Sequence, residues 1–397
     1  MAHRDSTSQG GYVDISSNSQ VKRIYSKRGR GKRVFIVFLS VVFLICGSGL
    51  LYYYSVLESL NYNFSGNISN VDDSDVPDDI GSENSNLTFD GKTLLSDSKV
   101  LNVMLFGEDY SDEGEDHGRS DSMILLSVDN RHQKLKLTTF MRDTYVYIPG
   151  YDYQKINAAY QMGGPALAIK TVEANFGIKV DRYAVVNYES FVDIVDIMGG
   201  VDIELTQDEI GYINFQMYIN EQTDTPTTIT DPPGMVHLNG TEALWYARDR
   251  GFYEPEEYPG VVFEGDDWDR TRRQRNFLST IFESMKSASL PQIVSIVSQV
   301  GPLITTNFKK DEITTLVANS LTYLKYDVAE FSCPHGELGS EWGYVDDPVK
   351  GSYIQIYDLD LERKEIASFI FEELVSGVGS VSSSVSSSAS NRLSVRT

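Results

Sequence analysis

The sequence predicts an α/β or α+β fold, a sandwich of strands and helices (α-β-α), preceded by one N-terminal transmembrane helix. Three observations carry this expectation. Short apolar runs of strand length alternate with stretches of helical periodicity from residue 100 onward. A 21-residue run at 34–54 carries no charge. Charged side chains stand where the first apolar runs end, as expected of residues projecting from one edge of a sheet.

Residues 1–33 hold eight Lys and Arg against Asp5 and Asp14, and read as a disordered cytoplasmic tail. At ~1.5 Å rise per residue, the run at 34–54 is about 30 Å long as a helix, enough to cross a bilayer. The basic flank precedes it, so the N-terminus is expected inside the cell and the rest outside, in a single-pass membrane protein. A cleaved signal peptide is the competing reading, with 46–49 as a weak cleavage candidate. Residues 55–98 are rich in Ser, Asn and Asp and read as an extracellular stalk.

Beyond residue 33 the chain keeps 26 of its 34 basic and 55 of its 57 acidic side chains, a net charge of −29. So acidic a surface argues against nucleic acid as a partner. Cys46 lies in the apolar run and Cys333 stands alone beyond it, which excludes an intrachain disulfide framework outside the membrane. The five His show no metal-ligand spacing.

The globular part runs over 99–375. Residues 100–105, 123–128 and 135–140 read as buried strands, followed by a Pro149-Gly150 turn. Lys155-Ile156-Asn157-Ala158-Ala159-Tyr160 opens a helical stretch, and Gly163-Gly164-Pro165 introduces another over 166–176. A strand (183–186), a helix (191–198), a Gly199-Gly200 turn and a strand (201–205) come next. A polar loop (221–236) precedes a helix for which Asn239 is the expected N-cap. An acidic loop (251–266) then leads into a helix to about residue 285. Helices at 292–300, 311–324 and 361–374, with strands at 328–332 and 353–356, complete the domain. The Ser-rich tail 376–397 reads as disordered.

If the first three strands lie side by side, Asp109, Arg119, Asp121 and Arg142 gather at one sheet edge, where they can hold a divalent cation and a phosphate together. Arg248 and Arg250 end one helix, and Arg270, Arg273 and Gln274 open another. A plain reading gives helix-dipole complements, solvated arginines and turn-forming aspartates. However, cations at a helix start oppose the dipole, and so many guanidiniums in so acidic a chain suit an anion with several oxygens, such as a diphosphate. Asp109 and Asp121 suit Mg²⁺ (or Mn²⁺), which takes few carboxylates and borrows phosphate oxygens.

In order along 100–285, these landmarks are Gly107-Glu108-Asp109, Gly118-Arg119-Ser120-Asp121, Arg142-Asp143-Thr144, Lys155 to Tyr160 with Gly163-Gly164, Gly199-Gly200-Val201-Asp202, Leu238-Asn239-Gly240, Tyr246-Ala247-Arg248-Asp249-Arg250, and Arg270 with Arg273-Gln274. The ordered set resembles the LytR–CpsA–Psr family of membrane-anchored cell-wall enzymes. The resemblance implies a mixed sheet flanked by helices and a hydrophobic pocket for a polyprenyl chain. It further implies transfer of a glycopolymer (teichoic acid, capsule or another secondary wall polymer) from a polyprenyl diphosphate carrier to the C6 hydroxyl of peptidoglycan N-acetylmuramic acid, releasing polyprenyl phosphate. By position, Asp109 and Asp121 resemble the Mg²⁺ ligands, and Arg119, Arg142, Arg248, Arg250, Arg270, Arg273 and Gln274 the residues around the diphosphate. Asp109, Asp121, Arg142, Arg248 and Arg250 form the implied catalytic set. Tyr145 and Val146 stand where some members carry a further Arg. Rival readings are a hydrolase acting on the same carrier and a non-catalytic lipid-binding or regulatory protein.

Overall fold

A computed structural model describes residues 94–109, 118–220, 229–253, 261–335, 342–348, 351–356 and 358–372. The expected basic tail, transmembrane run and Ser-rich tail lie outside these residues, as does the stalk up to residue 93. Among the described residues no helix is long and apolar enough to cross a membrane.

The central sheet has six strands. Strands β1 (Val100–Asp109), β2 (Arg119–Asp129) and β3 (Lys134–Phe140) form an antiparallel meander. Helix α1 (Ile156–Phe176) carries the chain across to β6 (Arg182–Asn187), which pairs parallel with β1. Between β3 and α1 lies a hairpin of β4 (Tyr145–Tyr147) and β5 (Tyr153–Lys155). The edge strands are β11 (Thr305–Thr306), antiparallel to β6, and β12 (Asp327–Cys333), parallel to β3. The sheet is therefore mixed, as the family resemblance implies.

The two faces of the sheet do different jobs. On one, Met104, Phe106, Met123 and Leu125 pack against α1 and the C-terminal helix α8 (Leu359–Phe371). Each such side chain contributes ~1.5–3 kcal/mol by leaving water, so this face is a closed core. The expected break at Gly163-Gly164-Pro165 is a kink within α1, with Gly164 at φ 60; that left-handed backbone suits glycine. On the other face lie α2 (Tyr188–Met198), the hairpin β7 (Val201–Leu205) with β8 (Gly234–Leu238), α3 (Gln207–Asn220), α4 (Gly240–Arg248) and α5 (Asp267–Met285). They share a second core that includes Val195, Ile213, Trp245 and Phe277.

The sequence reading misses α3 altogether. Its inward face is partly polar: Asn214 is buried and satisfied by Ile229, accepting from that residue's N–H at 2.7 Å and donating to its carbonyl at 2.9 Å. That exchange spoils the apolar period while stabilising the helix. A short hairpin, β9 (Phe252–Tyr253) with β10 (Val262–Phe263), stands in the acidic loop. After α5 come α6 (Leu290–Val300), α7 (Lys310–Tyr323) and a second hairpin, β13 (Trp342–Asp347) with β14 (Gly351–Ile356). At the other end, Leu95 bridges to Ile178 and packs on the first core, so the last residues of the expected stalk belong to the domain.

Where β2 turns into β3, Asp129 accepts from buried Lys136 and from His132, both at 2.7 Å, and Lys136 also lies 2.9 Å from Glu372 just beyond α8. Among the described residues, Asp129, His132 and Glu372 have metal-binding spacing, but the Lys136 ammonium already supplies the cation there. Burial pushes the Asp129 carboxyl up, yet the hydrogen bonds from Lys136 and His132 outweigh it and hold the pKa at about 2. A depressed carboxyl contributes stability that is complete above its unfolded pKa and is lost as pH falls toward the folded one. Denaturant melts are therefore expected to show stability declining from about pH 4 to about 2. Asp129→Asn should start less stable and lose less over that interval.

Candidate active site

The meander and the parallel crossover place four chain segments at the same sheet edge. The carboxyl end of β1, the amino end of β2, the carboxyl end of β3 and the carboxyl end of β6 all emerge there. Asp109 pairs directly with Arg119. The register then shifts: Gly107 faces Ser122 while Glu108 faces Ser120, leaving Asp121 as the extra residue of a β-bulge. The bulge resets the alternation, so that Asp121 and Ser122 both line the same cavity while Ser120 is buried. Gly107 permits the close approach, since a Cβ there would meet the Ser122 Cβ at 3.1 Å.

Arg142 leaves the end of β3 and its Nη1 donates to Asp121 Oδ1 at 2.9 Å, while Nη2 lies 3.2 Å from Asp267. Arg270, only 3% exposed, lies 3.0 Å from Asp267 and 3.6 Å from Asp121. A cation at a helix start is unfavourable, and here the acidic first turn offsets it: Asp266 caps α5 through the N–H groups of Trp268 and Asp269, and Asp267 pairs with Arg270. Arg248 ends α4, which is begun by an Asn239–Glu242 capping box. Its guanidinium stacks 4.3 Å from the Tyr188 ring and 4.8 Å from that of Trp245. Stacking engages the flat face of the guanidinium and leaves its N–H edge for an anion.

Burial and repulsion from Asp121 raise the Asp109 pKa, against attraction by Arg248 and Arg142. Asp121 is also buried, but Arg270 and Arg142 more than compensate and its pKa is lowered. One carboxylate is thus held ionised and its neighbour is more basic than usual. Tyr188 hydrogen-bonds toward both, at 3.4 Å from Asp121, and burial raises its own pKa.

These groups border a cavity of about 980 Å³ between the second face of the sheet and the helices above it. Leu105, Ile124 and Val186 form its floor, and Phe191, Leu244 and Phe277 stand on its other walls. The structure brings Asp109, Arg119, Asp121, Arg142, Arg248, Arg250, Arg270 and Gln274 to this one cavity. Arg119 is tethered by Gln161, to which its Nε donates at 3.1 Å. Several buried polar atoms at the site have no hydrogen-bond partner among the described residues: Nε of Arg142 and of Arg270, Oε1 of Gln274 and Nε1 of Trp245. The three donors among them, the two guanidinium Nε and the indole Nε1, suit a polyanionic ligand, whereas Gln274 Oε1 is an acceptor.

Arg273 is a correction. It does not line the cavity. Its Nε donates to Glu209 Oε1 at 2.8 Å, Nη1 to the Asp249 carbonyl at 2.9 Å, and Nη2 lies 3.2 Å from the Asp249 carboxylate. Three residues past Arg270, it lies about 60° around the helix from it, and Glu209 lies on α3, which the sequence reading misses. Tyr188, Trp245 and Asp267 were missed as site residues too. Tyr188 carries a positional signal, since it directly follows a strand ending at the charged edge.

The LytR_cpsA_psr family profile matches residues 62–361. This chain belongs to that family. Among LytR_cpsA_psr relatives, the polyisoprenyl-teichoic acid–peptidoglycan teichoic acid transferase TagV of Bacillus subtilis (strain 168) is 27% identical over 328 residues, covering 80% of this chain and 74% of TagV. Biofilm regulatory protein A of Streptococcus mutans is 31% identical over 234 residues, covering 56% of this chain and 53% of that protein. The crystal structure of B. subtilis TagV superposes with a TM-score of 0.52 at 27% identity, over 69% of this chain and 98% of the other.

Proposed function

We propose that the protein is a phosphotransferase that moves a polyprenyl-diphosphate-linked glycopolymer onto the C6 hydroxyl of peptidoglycan N-acetylmuramic acid and releases polyprenyl phosphate. The observation that carries this reading is the meeting of guanidiniums and carboxylates on the wall of a large apolar cavity. A diphosphate head with a long hydrocarbon tail needs both parts. TagV, a transferase for teichoic acid by name, supports the class. The charge-free run at 34–54 would anchor the chain in the cell membrane with this domain outside.

In the proposed reaction, the acceptor hydroxyl oxygen attacks the sugar-proximal phosphorus. The bond from that phosphorus to the bridging oxygen breaks, and the bridging oxygen leaves on the lipid phosphate. Arg142, Arg248 and Arg270 stabilise negative charge growing on the bridging and non-bridging oxygens. Arg119, Arg250 and Gln274 orient the diphosphate. A carboxylate oxygen of Asp109 or Asp121 that the cation does not engage would accept the hydroxyl proton. Asp109 and Asp121 would hold Mg²⁺ or Mn²⁺, which supplies further neutralisation of the diphosphate; two carboxylates beside phosphate oxygens suit such a hard cation.

The test is incubation with a synthetic polyprenyl-diphosphate donor, peptidoglycan fragment and Mg²⁺, with products read by mass spectrometry. Glycan-linked polymer is expected; free polymer phosphate alone would make the protein a hydrolase. Chelation with EDTA should stop turnover, and added Mg²⁺ should restore it.

A further inference from the structure

Four tyrosine rings form a continuous row across the β4–β5 and β13–β14 hairpins. Tyr353 stacks on Tyr145 with centroids 4.2 Å apart, Tyr145 meets Tyr153 at 5.7 Å, and Tyr153 meets Tyr147 at 5.5 Å. The row opens to solvent at Tyr153, and Tyr145, Tyr147 and Tyr353 are half-buried. Tyr153 is 41% exposed, and Tyr151 in the intervening turn and Tyr344 on β13 are 49% and 51% exposed. Tyr151, Tyr153 and Tyr344 present ring surface to solvent while Val146, Ile148 and Ile354 beside them fill the core. The row is also continuous with the catalytic edge. The Ile354 N–H donates to the Asp143 carbonyl at 2.8 Å, and Lys155 at the end of β5 pairs with the Asp143 carboxylate at 2.8 Å. Arg142 is the residue before. Tyr344 lies close enough to Asp267, Asp143 and Asp266 for their charges to add to the rise that burial produces in its pKa, to about 12.

We propose that this tyrosine row is the subsite for the acceptor glycan strand, holding its N-acetylhexosamine rings while one hydroxyl reaches the diphosphate. The inference rests on the transferase reading and adds where the second substrate lies. Flat, rigid tyrosine faces match the C–H faces of pyranose rings, and their hydroxyls hydrogen-bond the sugar rim. Asp143, Asp266 and Asp267 lie near Tyr344 with Arg142 among them, and Asp346 accepts from Ser352 Oγ across the hairpin. Asp266 and Asp346 can accept hydrogen bonds from sugar hydroxyls, while Asp143 and Asp267, paired with Lys155, Arg142 and Arg270, tie this surface to the catalytic edge.

The experiment measures binding of a soluble peptidoglycan glycan oligosaccharide, and separately of a lipid-free teichoic acid chain, to the full-length protein. The variants are Tyr153→Ala, Tyr344→Ala and Tyr218→Ala, the last an exposed tyrosine on α3. The first two should weaken oligosaccharide binding roughly tenfold, with a matching rise in KM for acceptor, and Tyr218→Ala should not. Tyr153→Phe, which keeps the ring contacts, should retain most of the affinity and guards against a misfolded hairpin. Equal binding by all variants, no binding by the wild-type protein, or loss of teichoic acid binding instead would each overturn the proposal. A wild-type protein that binds the oligosaccharide through these tyrosines but forms no glycan-linked product would sink the transferase reading and leave the subsite standing.

Discussion

Replacing Arg248 with alanine is expected to lower the transfer rate by a factor on the order of 10²–10³, the usual loss when one preorganised transition-state donor is removed, while thermal unfolding changes by only a few degrees. The separation follows from how the residue is held. Arg248 lies between two aromatic faces, and its charge is felt by Asp109 across the site. Removing it forfeits cation–π contacts worth about 0.5–2 kcal/mol and strands no tightly paired carboxylate. Arg248→Lys should recover little, because an ammonium on a flexible stem cannot stack flat and present a planar edge together. The measurement is kcat for lipid-linked donor beside a melting curve. Wild-type turnover by the alanine variant would remove Arg248 from the mechanism.

Arg273→Ala is expected to behave in the opposite way. Glu209 and Asp249 are both nearly fully buried, and burial already pushes the Asp249 carboxyl up to about 6 despite the guanidinium beside it. Taking away the shared cation leaves two carboxylates uncompensated, a change worth about 3–5 kcal/mol. In a domain of this size that is a fall in Tm on the order of 10 °C. Activity per folded molecule at low temperature should fall far less than in Arg248→Ala. If instead the rate collapses with Tm unchanged, Arg273 handles substrate after all.

These two arginines mark what the sequence discloses and what it hides. The first three strands are legible because each is a short apolar run closed by a charged group, and their meander puts Asp109, Arg119, Asp121 and Arg142 on one edge. Arg248 and Arg270 are legible as cations near helix ends in an acidic chain. Arg273 has the same sequence signature as Arg270, and only a partner 64 residues away tells them apart. That partner lies on α3, whose buried Asn214, Gln216 and Glu209 erase the apolar period. The bulge at Asp121 is equally silent in composition, since it depends on pairing register. Strand β13 also escapes notice, with Gly343, Tyr344 and two aspartates lacking the apolar run that announces β1.

The hollow over one face of the sheet has a practical corollary. Apolar walls of this kind make few distinctions among flexible aliphatic tails, because dispersion and dehydration are non-directional forces. Linear-tailed surfactants should therefore lodge in this space. By mass action they would raise the melting temperature while competing with substrate. Bulky steroidal or short-tailed amphiphiles, too wide or too small to lodge well, are the better choice for kinetics.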